Sequence, residues 1–116
     1  MKAPISVIEA PEFIKFAKKH LTYDETADLV AYLSTKYDEG VIIQGTGGLR
    51  KIRFARQNQG KSGGYRIIYY FYDEETPLFL LNGFAKNEMD NLTQADKNGF
   101  KKSLPIMINN YKRRES

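Results

Sequence analysis

The sequence predicts an α+β domain in which helices pack against a small, largely antiparallel sheet. Three patterns indicate this fold class: apolar residues at helical spacing in the first third, alternating and β-forming residues in the middle, and a second helical pattern at the end. The chain has 116 residues, of which 41% are hydrophobic, a size and composition typical of one domain. We therefore predict a single domain over residues 1–116, with two N-terminal helices and one C-terminal helix.

The N-terminal third predicts one strand and two helices. A short apolar run at residues 5–9 is typical of a strand, and residues 11–20 carry apolar side chains at helical spacing. Thr22 and Glu25 fit the Thr-x-x-Glu capping box, which predicts the start of a second helix that extends to about Tyr37.

Strands dominate the middle of the chain. A glycine-rich stretch at residues 45–48 predicts a turn, and the polar stretch 57–64 predicts a surface connection. The remaining residues alternate or are rich in β-formers, which predicts strands at residues 49–56, 65–72 and 78–85. The last two are joined so closely that they should form an antiparallel hairpin.

A C-terminal helix is predicted after Thr93, which can cap it. Its apolar residues at helical spacing are Phe100, Leu104, Met107, Ile108 and Tyr111. Pro105 lies within this pattern, lacks a backbone N–H and clashes with the preceding helical turn. We therefore expect a kink or a break at Pro105.

Composition excludes several kinds of site. The chain has no cysteine and one histidine, which excludes disulfides, thiolate-bound or histidine-based zinc, and a ribonuclease with paired histidines. The single His20 falls on the apolar side of the first predicted helix, so we interpret it as a partly buried structural residue. The run of acids at residues 73–75 falls in a predicted turn and is interpreted as solvated, and we predict no metal and no cofactor.

The sequence does not predict a membrane protein. No apolar run approaches the ~18 residues of a membrane-spanning helix. The N-terminal segment contains acids and prolines where a signal peptide needs an unbroken apolar stretch. We therefore expect a cytoplasmic protein.

One apparent nucleotide-binding motif is rejected. Residues 55–62 nearly satisfy the phosphate-loop pattern, with Ala55 in place of its first glycine. That loop must open directly into a helix whose N–H groups face the phosphates. Here Ser62 is followed by two glycines and a predicted strand, so we expect a hairpin loop and no ATP or GTP site.

The positive charge is concentrated in one segment. Residues 1–39 carry five Lys/Arg and seven Asp/Glu, and residues 73–116 carry seven of each. Residues 40–72, the acid-free segment, carry six Lys/Arg and no acid, so they account for the net charge of +4. Such a patch attracts polyanions or an acidic partner, and a solvated surface without a partner is the alternative.

Basic and aromatic residues form the candidate site. Lys51 and Arg53 are two apart and share one face of a strand, Arg66 lies on the next strand and can face them, and Lys86 follows the last strand. Arginine binds phosphate with a planar fork of donors, and unpaired RNA bases stack on aromatic rings. We predict that these four residues are catalytic. The residues predicted to bind RNA are Arg50, Arg56, Lys61, Tyr65 and Tyr70.

RNA carries its own nucleophile, so such a site needs no metal. A 2′-hydroxyl can attack the neighbouring phosphorus to give a cyclic phosphate, while the protein aligns the strand, stabilises the added negative charge and moves protons. Arginine suits the stabilisation of charge but stays protonated. Arg66, on a predicted central strand, should contribute most to this stabilisation, and a structural pairing of Arg66 with Asp73 or Glu88 is the alternative.

Three segments resemble the HigB branch of the RelE/ParE toxin superfamily. They contain the run Leu-Arg-Lys-Ile-Arg within residues 43–53, the strand Gly-Gly-Tyr-Arg-Ile-Ile-Tyr-Tyr within residues 60–72, and Ala-Lys-Asn-Glu within residues 84–88. The order of the predicted elements agrees along nearly the whole chain. The resemblance implies a RelE-like α+β fold.

The resemblance also implies a function and partners. It implies the toxin of a type II toxin–antitoxin system, a ribosome-dependent endonuclease that cuts mRNA and inhibits translation. The partner it implies is a HigA-like helix-turn-helix antitoxin, through which alone the toxin would reach operator DNA. Lys51 and Arg53 match the family's basic strand pair, Arg66 its phosphate-facing arginine, and Lys86 its basic residue after the last strand.

Two positions depart from RelE itself. Asn87 stands where RelE has a further arginine, and Thr93 stands where it has a catalytic tyrosine, so those proton-transfer roles are not carried over. A non-catalytic RNA- or antitoxin-binding module of the same fold is therefore the main alternative. A basic structural protein of a phage or plasmid is the third interpretation.

Overall fold

A computed structural model describes residues 3–54, 64–85 and 92–115 of the chain. Within these ranges the chain forms three helices and one five-stranded sheet, which confirms the predicted α+β class. The elements in chain order are β1 (Val7–Glu9), α1 (Pro11–His20), α2 (Tyr23–Thr35), β2 (Val41–Ile42), β3 (Leu49–Phe54), β4 (Tyr65–Tyr70), β5 (Leu78–Ala85) and α3 (Gln94–Glu115).

The sheet has the strand order β1-β5-β4-β3-β2, so β4 is its central strand. Neighbouring strands from β5 to β2 pair antiparallel, and only β1 among the described strands pairs parallel, with β5. Of the described strands, β1 is the first in the chain and β5 is the last. Their pairing joins the N-terminal strand to the hairpin of β4 and β5. Strand β4 is paired by hydrogen bonds on both sides, which fixes its backbone and the directions of its side chains.

Alternating side chains give the sheet two buried faces. On the α1/α2 face the core contains Phe13, Leu29, Leu33, Tyr65, Ile67 and Tyr69. On the α3 face it contains Ile43, Leu49, Ile68, Tyr70, Leu104 and Ile108. Helix α1 approaches the first face closely, because a Cβ on Gly83 would overlap the ring of Phe16.

The predicted helix starts agree with the structure. Helix α2 begins after Thr22, whose Oγ1 accepts the Glu25 N–H at 3.0 Å, while Glu25 Oε1 accepts the Thr22 N–H at 2.8 Å. Helix α3 begins after Thr93, whose Oγ1 accepts the Asp96 N–H at 3.0 Å. Both caps satisfy backbone donors that a helix start leaves free.

The structure differs from the predicted elements at several points. The predicted first strand is shorter, and α2 ends at Thr35 rather than near Tyr37. Strand β2 was not predicted, because two residues are too few for a periodic pattern. Of the predicted kink or break at Pro105, the break is wrong, because α3 is continuous from Gln94 to Glu115, and the kink stays a prediction. Pro105 itself is exposed while Leu104 and Ile108 are buried, so packing on both sides of the proline holds the helix together.

Helix α3 covers one end of its sheet face. Near the start of the helix, a Cβ on Gly47 would lie 3.4 Å from Cα of Lys101, so the helix crosses directly over the turn before β3. Near its other end, Tyr111 packs edge-on against Phe79 at the start of β5, with ring centroids 6.3 Å apart. At the opposite end of this face, Lys51 and Arg53 are exposed. This exposed end of the α3 face carries the candidate site.

Candidate functional site

The strand register brings three predicted site residues together. Arg53 on β3 is directly opposite Arg66 on β4, and Lys51 is opposite Ile68, two residues further along β4. Because every second residue of a strand shares a face, Lys51, Arg53 and Arg66 all lie on the α3 face. We call these three residues the cationic cluster.

Arg66 lies on the central strand, and one of its guanidinium nitrogens lacks a partner among the described residues. Its Nη1 is buried and, within the part of the chain that the structure describes, has no hydrogen-bond partner. The structure does not show the predicted alternative of a pairing with Asp73, whose carboxylate instead accepts the N–H of Glu75 at 3.0 Å. The other acid considered, Glu88, lies outside the described residues. A buried guanidinium donor without an acceptor is costly, and such groups are typical of sites that receive an anion.

Arg53 lies beside Arg66 and next to Gly64. The residue is exposed, and a Cβ on Gly64 would lie 3.9 Å from its Cγ and 4.0 Å from its Nε. Gly64 therefore leaves the stem of Arg53 uncrowded. Like charges directly opposite each other destabilise a sheet. The arrangement of Arg53 and Arg66 therefore lowers the stability of the strand pair.

Arg50 lies away from the cationic cluster, although it was predicted to bind RNA. It is opposite Tyr69 and thus belongs to the α1/α2 face. Its Nη1 donates to the carbonyl oxygens of Asp38 at 3.1 Å and Gly40 at 2.8 Å. The side chain ties the end of the α2–β2 connection to β3, which is a structural role.

Tyr65 also lies on the α1/α2 face rather than with the cluster. It is 8% exposed, and its ring packs edge-on against Phe16 with centroids 5.2 Å apart. Its hydroxyl lies 3.4 Å from Nδ1 of His20. His20 packs against Phe16 at a tilted angle and is partly buried, as the sequence predicted, and it is on the opposite side of the sheet from the cationic cluster.

Tyr70 shares the face of the cluster but is in the core. It is 7% exposed among the residues that α3 covers, and this burial raises the pKa of its hydroxyl. The centroid of the Tyr70 ring lies 6.4 Å from the ring centroid of Tyr72, which is more exposed. The structure therefore places the ring of Tyr70 where an RNA base has little access.

Three predicted site residues cannot be placed. Arg56, Lys61 and Lys86 lie outside the described residues, as does the rejected phosphate-loop pattern at residues 55–62. A residue that the sequence analysis did not single out is Phe84, which is directly opposite Arg66 on β5.

The described part of the chain limits the chemistry of the site. It contains no group of three or more His, Cys, Asp or Glu side chains that could hold a metal ion. Neither Arg53 nor Arg66 forms an ion pair with any residue that the structure describes. None of the helices in the described ranges is both long and apolar enough to span a bilayer. The cluster can bind and stabilise anionic groups through fixed guanidinium donors.

Comparison with known proteins identifies the family. The profile of the family described as "RelE toxin of RelE / RelB toxin-antitoxin system" matches residues 5–114. The solved structure of a double arginine-to-alanine variant of Escherichia coli toxin RelE, in the free state, is similar in fold with a TM-score of 0.53. The match has 15% sequence identity and covers 76% of this chain and 90% of that chain. The fold is thus the RelE fold, and the chain belongs to the RelE family of toxins from toxin–antitoxin systems.

Proposed function

We propose that this toxin is a ribosome-dependent endoribonuclease that cuts mRNA and so inhibits translation. The observation that carries the proposal is that Nη1 of Arg66, on the central strand and directly opposite Arg53, is buried and has no hydrogen-bond partner among the residues that the structure describes. A phosphodiester would supply the acceptors that this pair lacks. The chain belongs to the RelE toxin family. This membership supports the proposal that the protein acts on a target whose destruction stops cell growth.

Arg66 is suited to stabilise the transition state. The strand holds its backbone on both sides, and its neighbours Ile67 and Ile68 are 0% and 1% exposed, so its position is fixed by packing. A phosphorus under attack gains negative charge. A preorganised charged donor stabilises that state more than it stabilises the starting RNA.

The proposed reaction uses the 2′-hydroxyl of the RNA. Its oxygen attacks the adjacent phosphorus, the bond from phosphorus to the 5′-oxygen breaks, and a 2′,3′-cyclic phosphate remains. One proton leaves the 2′-hydroxyl and one reaches the 5′-oxygen. Because arginine stays protonated, Arg53 and Arg66 bind the phosphate and stabilise charge, and the proton transfers belong to other groups. Lys51 and Lys86 are the lysines of the proposed site.

The shape of the site supports the proposed dependence on the ribosome. Lys51 and Arg53 are exposed on the surface of a sheet. Such a surface binds an RNA strand without bending it into the geometry needed for attack. An mRNA already held by the ribosome would arrive aligned, which lowers the barrier without further groups from the toxin.

The proposal extends to the partners. The family implies an antitoxin, and we propose a HigA-like one with a helix-turn-helix, through which the pair reaches operator DNA. The site of action would be the cytoplasm, where ribosomes translate.

The test replaces Arg66 by alanine. Purified Arg66→Ala should cut an mRNA on programmed ribosomes about 10²–10³-fold more slowly than the wild type. It should melt within a few degrees of the wild type and still bind the antitoxin. Lys19→Ala, which removes an exposed charge from α1, is the matched control and should cut normally. Undiminished cleavage by Arg66→Ala would overturn the proposed role, and equal cleavage of free mRNA by the wild type would overturn ribosome dependence.

A specific observation favours a second candidate, a binding module that does not cut. Thr93 stands where RelE has a catalytic tyrosine, and here its hydroxyl caps α3 by accepting the Asp96 N–H. If the wild type binds ribosomes but primer extension shows no cut in a translated mRNA, this second function replaces the first.

A further inference from the structure

We propose that Phe84 stacks against an unpaired RNA base next to the phosphate held by Arg53 and Arg66. The inference rests on the proposed function and specifies its substrate: a single RNA strand with one base turned out of the stack at the point of cleavage.

The register places Phe84 in line with the two arginines. Arg66 is opposite Arg53 on one neighbouring strand and opposite Phe84 on the other, so the three residues form one row across β3, β4 and β5. Neighbouring strands are about 4.8 Å apart. The backbone of Phe84 therefore lies one strand spacing from the backbone of Arg66, which binds the phosphate. This separation is similar to that between a phosphate and the base of the same nucleotide.

An irregularity in the sheet turns Phe84 toward this face. In a regular strand, Phe79 and Phe84 would point to opposite faces, because they are five positions apart. The pairing of β4 with β5 shifts register between Ile68 and Tyr69, and one residue of β5 is left over. After the shift both phenylalanines belong to the α3 face. Bulges of this kind commonly re-aim a side chain beside an active site.

The surroundings of Phe84 suit a stacking surface. Its side chain is half-buried against the core of the α3 face, so one part is supported while another part reaches solvent. Of the neighbouring aromatic residues in the described strands, Phe54 and Tyr65 lie on the opposite face, and Tyr70 is 7% exposed. Phe84 is thus the aromatic side chain that the structure leaves beside the cationic cluster.

The chemistry of the row matches a nucleotide in single-stranded RNA. Aromatic side chains recognise unpaired bases by stacking, largely without regard to sequence, while cationic side chains follow the backbone. The row offers two guanidinium groups for the phosphate and one ring for the base. A base in a duplex is stacked on both sides and cannot use the ring, so paired RNA should be a poor substrate.

The experiment combines a side-chain change with the removal of a base. Cleavage on programmed ribosomes is measured for the wild type, Phe84→Leu and Phe84→Tyr. The mRNA is either intact or carries one abasic nucleotide on the 5′ or the 3′ side of the scissile phosphate. Phe54→Leu, which changes a half-buried phenylalanine on the opposite face, is the matched control.

Stacking predicts a distinct pattern of rates. On intact mRNA, Phe84→Leu should lower kcat/KM about 5- to 150-fold, the range that corresponds to the stacking of one base on an aromatic side chain. Phe84→Tyr, which retains the ring, and Phe54→Leu should stay within about threefold of the wild type. On one of the two abasic mRNAs, the kcat/KM of the wild type should fall as far as that of Phe84→Leu falls on intact mRNA. On that abasic mRNA the wild type and Phe84→Leu should cut equally fast.

The outcomes separate this inference from the proposed function. If Arg66→Ala cuts normally, the proposed function fails and the inference fails with it. If Arg66→Ala is inactive while Phe84→Leu cuts intact mRNA at the rate of the wild type, the inference alone is overturned. A loss in Phe84→Leu that persists on both abasic mRNAs, or that Phe84→Tyr shares, shows a role in packing and also overturns it.

Discussion

At the scale of single residues, Arg53 and Arg66 serve the proposed function while they lower the stability of the sheet. They are opposite each other on adjacent strands, and Nη1 of Arg66 is buried without a partner among the described residues. Two like charges in this position destabilise a sheet. The free energy of unfolding should therefore rise when one of them is replaced by an apolar side chain of similar length.

The first prediction is that Arg66→Met is more stable than the wild type although it no longer cuts. We expect the free energy of unfolding, measured by urea titration, to rise by about 1 kcal/mol, because a buried unsatisfied donor is removed. Arg50→Met is the contrasting variant. It breaks hydrogen bonds to the carbonyls of Asp38 and Gly40 and should lower stability by about 1–3 kcal/mol. A loss of stability in Arg66→Met would mean that Arg66 has a structural partner.

Alternation along a strand decided how much of the site the sequence could predict. Lys51, Arg53 and Arg66 were grouped because their spacing and pairing place them on one face, and the register agrees. Arg50 and Tyr65 were included for their residue types, but their positions send them to the opposite face. Regular alternation from Phe79 would place Phe84 on the opposite face, and the bulge that places it beside the cluster depends on long-range pairing that no local pattern contains.

Tyr69 is a second residue whose environment has a measurable consequence. It is fully buried, its hydroxyl donates to the carbonyl of Tyr37 at 2.9 Å, and it accepts the N–H of Gly40 at 2.8 Å. Burial raises the pKa of Tyr69 above its ordinary value of 10.0, and the hydrogen bond from Gly40 opposes this only in part. The folded state therefore keeps the phenol neutral at a pH where the unfolded chain has lost the proton.

The second prediction follows from this linkage. The contribution of Tyr69 to stability is complete below about pH 10 and is lost as pH rises from there through the higher pKa of the folded state, because the unfolded chain releases its proton first. Tyr69→Phe should lower the free energy of unfolding at pH 7 by about 1–3 kcal/mol, since two buried backbone groups lose their partner. It should also lose less stability than the wild type between neutral and alkaline pH. Equal alkaline losses in urea titrations would contradict the assignment.

At the scale of elements, the sequence predicted long periodic segments well and short or constrained ones poorly. Strand β2 consists of Val41–Ile42, and its position depends on distant groups: Arg50 binds the carbonyl of Gly40, and Tyr69 accepts its N–H. No local pattern contains that information. The continuity of α3 through Pro105 has the same origin, because burial of Leu104 and Ile108 overrides a local preference to break.

The third prediction concerns this proline. Pro105 is exposed, so alanine at this position loses little packing, restores a backbone N–H and removes a clash with the preceding turn. Pro105→Ala should raise the free energy of unfolding by up to about 3 kcal/mol. Ile106→Ala, at the neighbouring exposed position, is the control and should change stability by less than about 1 kcal/mol. Destabilisation of Pro105→Ala would show that α3 needs a bend at Pro105 to fit the sheet.

At the scale of the whole molecule, the position of the charge matters more than its amount. The net charge is +4, and the acid-free segment supplies it. The fold concentrates part of that charge further, since Lys51, Arg53 and Arg66 lie on one end of one face. Two variants with the same total charge should therefore differ in their binding to RNA.

The fourth prediction compares such a pair of variants. Lys51→Glu/Arg53→Glu and Lys18→Glu/Lys19→Glu each lower the net charge by four, from +4 to zero. The first reverses the cationic cluster, and the second reverses two exposed positions on α1. Wild-type binding to single-stranded RNA should weaken with salt at a slope of about −2 in log–log form, as for three phosphate contacts. Only the cluster variant should lose most of the affinity and of the slope. Equal losses in both variants, or binding independent of salt, would place the RNA elsewhere.

The last prediction concerns the antitoxin that the family implies. A toxin whose cationic cluster is uncovered must be held inactive in its own cell, either by a segment over the cluster or by a partner that keeps the toxin out of the ribosome. We expect a complex that buries about 1,200 Å² or more in total, in which an acidic segment contacts the cluster, because a specific interface has that size and opposite charges meet across it. Antitoxin in excess should then displace RNA from the wild type and raise its free energy of unfolding, by about 2.7 kcal/mol when free antitoxin is at 100 times Kd.

The variant Lys51→Glu/Arg53→Glu should bind the antitoxin more weakly than Lys18→Glu/Lys19→Glu does, and titration calorimetry measures the difference. An antitoxin that binds both equally and leaves bound RNA in place does not cover the cluster. Translation that continues at high expression of the toxin without any partner would contradict the proposed activity itself.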